Sequence, residues 1–405
     1  MPNYKYKASA RDGNIVSGKI EATSEEALNQ ILRDRGLFPI SVSKESVLSK
    51  DLDINILKKR TSLKDLYLFS RQLSSLLNAG VTVLDSLAIL RQQNDNKNMK
   101  KVLDSVYDSV QKGNSLSYAI QGFPDVFPSI FIHMIEAGEI SGSLDVSLQR
   151  LSAHFEKESK MNNKIKGALS YPIVVLCFAI LAVIVVILFI IPQFEEMFLE
   201  MGVTMPFFTQ LLLNISAFVK KFWYIVILLI VAVIIAYRLY AKTDKGKVNI
   251  GKILLKIPYV GSLNLKVAST RFANTLGTML ASGVSLFTAI DISGRVVGNE
   301  YVKQGLSEVS DRVSKGSTMG EPLEKIGMFP PMVVHMVKVG ETTGEIETLL
   351  KNTADYYEDE VDTAVAQLTA VMEPLIILVL GVVVLIIVLA VFMPMLSLYE
   401  GMGNM

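Results

Sequence analysis

Three apolar blocks constrain this chain more than any other feature: Ile173 to Ile191, Ile225 to Ala236 with Tyr224 and Tyr237 beside it, and Leu375 to Met393. The first and third each hold about 19 uncharged apolar residues, near the ~20 that a helix rising ~1.5 Å per residue needs to cross ~30 Å of hydrocarbon. Lipid offers backbone amides no partner, so such blocks must be helical. The middle block has a shorter core, but Trp223, Tyr224, Tyr237 and Tyr240 flank it where amphipathic aromatics prefer the headgroup region. Three membrane-spanning helices are expected. They explain why 50% of the 405 residues are hydrophobic and mean hydropathy is positive, which is unusual for a soluble protein.

Charge sets the expected orientation. Met1-Pro2-Asn3-Tyr4-Lys5 opens an alternating polar segment rather than a secretory signal, which keeps the N-terminal part in the cytoplasm. Arg150, Lys157, Lys160, Lys164 and Lys166 precede the first span, and Arg238, Lys242, Lys245, Lys247, Lys252 and Lys256 follow the second. Between those spans the basic residues are Lys220 and Lys221, and the tail after Met393 has none. By the positive-inside rule the N-terminus and residues 242–372 are cytoplasmic, while 193–221 and the C-terminus are outside. A formal net charge of +1 gives no field that would draw nucleic acid, and no such partner is expected. The single cysteine, Cys177, lies in the first span, cannot form an intramolecular disulfide, and is expected as a small buried apolar residue.

Residues 1–43 read as a small α+β unit. Tyr4 to Ala8 and Ile15 to Ile20 alternate like strands around the hairpin signal Arg11-Asp12-Gly13. A helix follows, with a Thr23–Glu26 capping box, an apolar face of Ala27, Leu28, Ile31 and Leu32, and a stop at Gly36. Residues 44–61, rich in lysine, read as a mobile linker.

Sliding the chain against itself by about 203 residues reveals an internal repeat. Phe69, Leu73, Leu77, Gly80, Val81 and Leu116 find counterparts in Phe272, Leu276, Leu280, Gly283, Val284 and Met319, and Lys112-Gly113 matches Lys315-Gly316. The register then slips by one. Phe127-Pro128, His133-Met134, Gly138-Glu139 and Gly142 match Phe329-Pro330, His335-Met336, Gly340-Glu341 and Gly344, and Pro172 matches Pro374 at the head of the next span. Each repeat therefore contains a cytoplasmic domain plus the span after it.

Each copy reads as a helical bundle because its punctuation falls at helix ends. Gly80 and Gly283 suit a left-handed C′ position, with Thr82 and Ser285 as caps of the next helix. Gly113 with Ser115, and Gly316 with Ser317, repeat that stop and restart. Pro128 and Pro330 stand at helix starts, where an N1 residue needs no amide donor. Leu144, Leu148, Leu151 and Phe155, and in the second copy Ile346, Leu349, Leu350 and Thr353, continue one face toward the membrane.

The paired Leu-x-Ala/Ser-Gly-Val segments (Leu77 to Val81, Leu280 to Val284) and paired Gly-Glu-x-x-Gly turns (Gly138 to Gly142, Gly340 to Gly344), with three spans in this order, resemble the type II secretion system F family. The resemblance covers nearly the whole chain. It implies a mainly α integral membrane protein divided as 1–43, linker 44–61, first cytoplasmic bundle 62–170, span 171–192, outside loop 193–221, span 222–241, second bundle 242–372, span 373–396 and tail 397–405. It also implies a non-catalytic inner-membrane platform for type IV pilus assembly or, alternatively, for type II secretion. The implied partners are a hexameric assembly ATPase, pilin subunits, other inner-membrane assembly proteins, membrane lipid, and a second copy of the chain in a dimer.

No enzyme site emerges. The chain lacks Gly-x-x-x-x-Gly-Lys-Ser/Thr, Gly316 to Gly320 being followed by Glu-Pro, so energy is expected from a partner. His133, His154 and His335 lack metal-ligand spacing, and the repeat equivalence of His133 and His335 favours a shared packing role. No cofactor or metal is expected. Glu139 and Glu341, each one residue after a glycine read as ending a helix, suit a solvated turn, a cap on the following helix, a domain contact or a weak cation site. The acidic-aromatic run Tyr356, Tyr357, Glu358, Asp359, Glu360 and Asp362 stands where the first copy has Lys157, Lys160, Lys164 and Lys166. That asymmetry suits either contact between the copies or with a partner, or a solvated helix face. Phe194, Phe198, Leu199, Met201 and Phe207 make the outside loop too apolar for a mere tether, and it is expected to lie along the membrane surface, to cover part of a subunit interface or to meet pilin.

Overall fold

The structure, a computed structural model, describes residues 3–9, 15–21, 25–34, 36, 38–44, 61–190, 192–193 and 207–403. They fall into two units, residues 1–60 and 61–405. In the first, β1 (Asn3–Ser9) lies between β2 (Ile15–Glu21) and β3 (Phe38–Lys44), antiparallel to both. Between β2 and β3 comes α1 (Glu25–Asp34), whose Leu32 is fully buried, and Gly36 turns the chain at φ +71°. The Thr23 cap, the turn at 11–13 and linker residues 45–60 lie outside the described residues.

The second unit holds two copies of a six-helix pattern. The first is α2 (Leu63–Asn78), α3 (Val83–Gln93), α4 (Lys97–Gln111), α5 (Leu116–Gln121), α6 (Ser129–Ser141) and α7 (Leu144–Val185). Then come α8 (Phe207–Lys242) and a short helix without counterpart in the first copy among the described residues, α9 (Asp244–Lys256). The second copy is α10 (Val260–Ala281), α11 (Leu286–Val296), α12 (Glu300–Val313), α13 (Gly320–Ile326), α14 (Pro331–Thr343) and α15 (Ile346–Gly403).

Local chemistry sets these boundaries. Ser62 and Asp65 form a reciprocal capping box at α2, and Thr82, Ser115 and Ser285 each accept an amide hydrogen bond at the start of α3, α5 and α11. Gly80 and Gly283 follow their helices at φ +82° and +80°, a region that L side chains avoid. Two expected starts differ. Ser317 does not cap α13, and Pro128 and Pro330 occupy N-cap positions one residue before the helix, with Pro331 at N1. The residue before a helix is extended, and both prolines sit there with ψ near 150–160°. The one-residue slip in the repeat falls at the end of the short fifth helix. Gly122 closes α5 in a right-handed conformation, five residues before Phe127, whereas Gly327 closes α13 at φ +60°, two residues before Phe329.

Equivalent residues fill equivalent cores. Phe69, Phe127 and Phe131 cluster with ring centroids 4.9–6.1 Å apart, and Phe272 meets Phe329 in a tilted pair at 4.9 Å. Leu73 and Leu276 are fully buried. In each copy the first helix packs along the last, α2 on α7 and α10 on α15.

Among the described residues two helices are long and apolar enough to cross a membrane: α7 with the π-helical segment that continues it, Leu144–Ile190, and the stretch Ile346–Leu389 of α15. Neither bundle stops where its apolar stretch begins, because α7 runs through Pro172 and α15 through Pro374. Cys177 is exposed on α7 rather than buried, in a stretch whose apolar residues Ile173, Val174, Leu176 and Phe178 are exposed as well. The middle segment is helical in α8, with one non-helical residue, Phe222 (φ −117°, ψ 18°), at the edge of the apolar block. Leu228 and Leu229 on it are 70% and 60% exposed. Of the outside loop, residues 194–206 lie outside the described residues and Phe207 already belongs to α8.

Candidate interface between the two copies

The repeated glycines and glutamates are packing devices inside each copy. Gly138 and Gly340 lie within α6 and α14 and do not end them; the turns come later, at Gly142 and Gly344, with φ +70° and +76°. What the inner glycines permit is close approach. A Cβ on Gly138 would stand 2.6 Å from Ser147 Oγ, and one on Gly340 2.7 Å from Ile346 Cα, both on the next helix.

Glu139 and Glu341 point back to the short helix before them rather than capping the one that follows. The Leu116 and Ser117 amides donate to the Glu139 carboxylate at 2.5 and 3.1 Å, and those of Met319 and Gly320 donate to Glu341, the latter at 2.8 Å. The first turn of any helix has amides without intrahelical partners, and a carboxylate there meets the positive end of the helix dipole. Glu341 thus does the work expected of Ser317.

The two copies meet along α7, α10 and α15. Lys157 binds Asp355 at 2.5 Å and Glu358 at 3.3 Å, and Lys164 binds Asp362. The partners Lys157–Asp355 and Lys164–Asp362 are both 198 positions apart, so α7 and α15 run parallel and in register over two turns. Between these ion pairs Met161 packs with Val361, Ala364, Val365 and Leu263. Glu360 accepts from Lys266 of α10 at 2.6 Å. Burial would lower the Lys157 pKa, but hydrogen bonds and charges from Asp355 and Glu358 outweigh it and hold it above the ordinary lysine value. Lys160 turns instead to Glu156 on its own helix at 2.8 Å. Lys166 and Asp359 make no ion pair among the described residues.

Beneath this exposed ladder lies a buried polar group that sequence reasoning missed. Arg271 of α10 donates to Glu158 at 2.6 Å and to Asn162 at 2.9 Å, with both charged side chains largely buried. His154, 3% exposed, hydrogen-bonds Asn274 through Nδ1 at 3.1 Å. Burial, then the charge of Arg271, lowers the His154 pKa from 6.5 to about 4, so the ring is neutral at pH 7. Arg150 completes the seam by donating to the Ala281 carbonyl and to Ser282, which caps the end of α10. A cleft of about 350 Å³ opens among Arg150, His154, Lys157, Asn274, Thr278 and Lys351. A signal for the buried group was present in the repeat: Arg271 stands where the first copy has Leu68, a charge at a position that is apolar in the other copy.

His133 and His335 do not share a packing role. Both lie on outer helix faces, and His133 pairs with Glu136 one turn on, at 3.2 Å. Repeat position preserved their place on the helix without placing them in the core. Among the described residues no group of three or more His, Cys, Asp or Glu is placed to hold a metal ion.

Comparison with known proteins finds the repeat as well. The family model described as "Type II secretion system (T2SS), protein F" matches twice, at residues 69–192 and 272–394, and the model of that protein's N-terminal domain matches 1–43. The two matches start 203 and end 202 residues apart, which reproduces the repeat and its slip. The chain is 38% identical over 397 residues to the type IV pilus assembly protein PilC of Thermus thermophilus, covering 98% of each. It is 36% identical to the PilC of Myxococcus xanthus, over 98% of this chain and 94% of that one. With the type II secretion system protein F of Pseudomonas aeruginosa it shares 29% identity over 100% of both. With both copies and the N-terminal segment matched, the chain belongs to the type II secretion system protein F family.

Proposed function

We propose that this chain is a non-catalytic inner-membrane platform of type IV pilus biogenesis, coupling a cytoplasmic assembly ATPase to pilin subunits in the bilayer. The observation that carries this reading is the end-to-end match to proteins named for type IV pilus assembly, at 38% and 36% identity. The type II secretion reading ranks second, because relatives of that name are 29–30% identical. In the proposed topology α8 is a third span, the N-terminus and both bundles are cytoplasmic, and residues 193–221 and the C-terminus are outside. The distribution of Lys and Arg and the exposed apolar surface of α8 support it.

The mechanism requires a stiff link between compartments. A soluble motor cannot touch a pilin's membrane helix, whereas α7 and α15 each run unbroken from a bundle into an apolar stretch. Displacement of a bundle is then transmitted along the helix. The motor would bind residues 62–166, 267–372 or both, and the chain would act with other inner-membrane assembly proteins as a dimer. Because Lys157, Lys164, Glu358, Glu360 and Asp362 pair with partners inside the chain, we assign them to holding the copies together rather than to gripping the motor. Deleting the gene in cells that keep their ATPase and pilins should abolish filaments in electron micrographs, and the purified chain should hydrolyse no ATP. Filaments in the deletion strain, or solute conduction by the purified chain in liposomes, would overturn the proposal.

A further inference from the structure

Basic residues in two regions of this structure differ in what they meet. Those along the seam between the copies meet carboxylates: Lys157, Lys164, Lys266 and Arg271 each have an acidic partner. Those at the end of α8 and along α9, Lys247 apart, do not. Arg238, Lys242, Lys245, Lys252 and Lys256 are all exposed, and among the described residues none of them makes an ion pair. Of the six basic residues in this stretch, Lys247 alone reaches an acid, Asp244, at 3.8 Å.

The helix that carries them is fixed on its other side. α9 starts two residues after α8 ends, and the Tyr240 hydroxyl near the end of α8 accepts from the Asn249 side chain at 3.1 Å. Gly246 and Gly251 are buried, and Asn299 at the start of α12 donates to the Gly251 carbonyl at 3.1 Å. At ~100° per residue, Lys245, Lys252 and Lys256 then share one outward stripe, while Lys247 falls on another face. Lys252 passes over the Tyr301 ring at 5.7 Å and remains exposed. Beside the stripe, Ile253 is 59% exposed, followed by Ile257 and Tyr259. Tyr259 occupies a γ-turn (φ 62°, ψ −48°) closed by a 2.7 Å hydrogen bond from the Val260 amide to the Pro258 carbonyl. Among the described residues it is the one non-glycine with positive φ, a conformation that must be held by its surroundings.

We propose that α9 and this γ-turn form a binding surface for anionic phospholipid headgroups of the adjoining leaflet. The proposal rests on the reading of residues 222–241 as a span. Thirteen helical residues reach about 20 Å, so the whole of α9 stays near the end of the membrane helix to which it is tied. Exposed Ile and Tyr side chains enter the boundary between headgroups and acyl chains, while lysines extend their stems to the phosphates. This fits lipid better than water because unpaired like charges in one stripe repel each other until a counter-charge is supplied. Each lysine near an anionic surface shifts the equilibrium about fivefold, so three act together by on the order of a hundredfold.

The test uses the full chain in nanodiscs of phosphatidylcholine alone or with one-third phosphatidylglycerol, and reads amide hydrogen exchange over residues 244–260. Exchange is expected to slow by at least about tenfold in the anionic discs. Raised salt should reverse the slowing, as should the triple variant Lys245→Gln, Lys252→Gln, Lys256→Gln; Lys247→Gln should not. Equal exchange in the two lipids overturns the proposal. So does protection that appears solely when an acidic protein partner is added. The double variant Leu229→Cys, Cys177→Ser separates the two readings through a membrane-impermeant maleimide. Labelling there sinks the span itself, whereas a protected Leu229 with lipid-independent exchange sinks the headgroup site alone. Unaltered thermal unfolding of the triple variant in phosphatidylcholine establishes that it has folded.

Discussion

Replacing His154 by asparagine isolates one buried titration at the seam between the copies. The unfolded chain takes up a proton on this residue near 6.5, but the folded chain does so at about 4. Stability is therefore intact above pH 6.5 and lost as pH falls from 6.5 toward 4, because only the unfolded state gains the proton in that window. The loss amounts to about 2 kcal/mol at pH 5 and about 3 kcal/mol below pH 4. Asparagine keeps an acceptor for Asn274 and removes the titrating ring, although the missing atoms lower stability at every pH. The assay is thermal unfolding of the full chain in nanodiscs at pH 7, 6 and 5, comparing parent and variant. Carboxylates that titrate in both proteins cancel in that comparison. The parent should be the more stable at pH 7, and its advantage should shrink by about 2 kcal/mol at pH 5. A constant gap across this range would refute the assignment of His154 as a buried neutral group.

Four further outcomes are expected. Cytoplasmic reporters fused after Arg60 or Lys256 should be active and export-dependent ones should report from 193–221 or after Met393; an export signal from residue 300 would break the topology. Gly340→Ala should cost about 1–3 kcal/mol, since its Cβ would press on Ile346 of α15, and thermal unfolding that matches the parent would deny the close approach. Arg271→Met leaves Glu158 buried and unpaired, at a cost of about 3–5 kcal/mol. Exchanging the more exposed pair through Lys164→Asp with Asp362→Lys should change stability by less than about 1 kcal/mol, and a stability loss from the exchange as large as that of Arg271→Met would reverse the ranking of buried and exposed pairs.

Several local features were legible because they depend on neighbours in sequence. A left-handed glycine followed by a hydroxyl cap is written within three residues, as at Gly80 to Thr82 and Gly283 to Ser285. Where the reading went astray, a distant group had taken over a local role. Ser317 has the chemistry of a cap, but Glu341 reaches the same amides from α14. Gly138 and Gly340 look like helix ends because glycine is the usual residue there, yet close packing against the next helix demands the same absence of a Cβ. The two meanings are indistinguishable without the neighbouring helix.

By itself, then, the sequence determined that two halves repeat, that each couples a helical bundle to an apolar stretch, and which residues stop and start most helices. These follow from periodicity, hydrophobicity and backbone preference, which act over a few residues at a time. Tertiary structure decided that the lysines of α7 face the acids of α15, that Arg271 and Glu158 meet in the interior, and that His154 rather than its two fellow histidines is buried. Each of those depends on which faces of α7, α10 and α15 turn toward one another across more than 100 residues of chain. A Coulomb or desolvation energy is a function of distance and burial in space, and neither is contained in the order of residues along the chain.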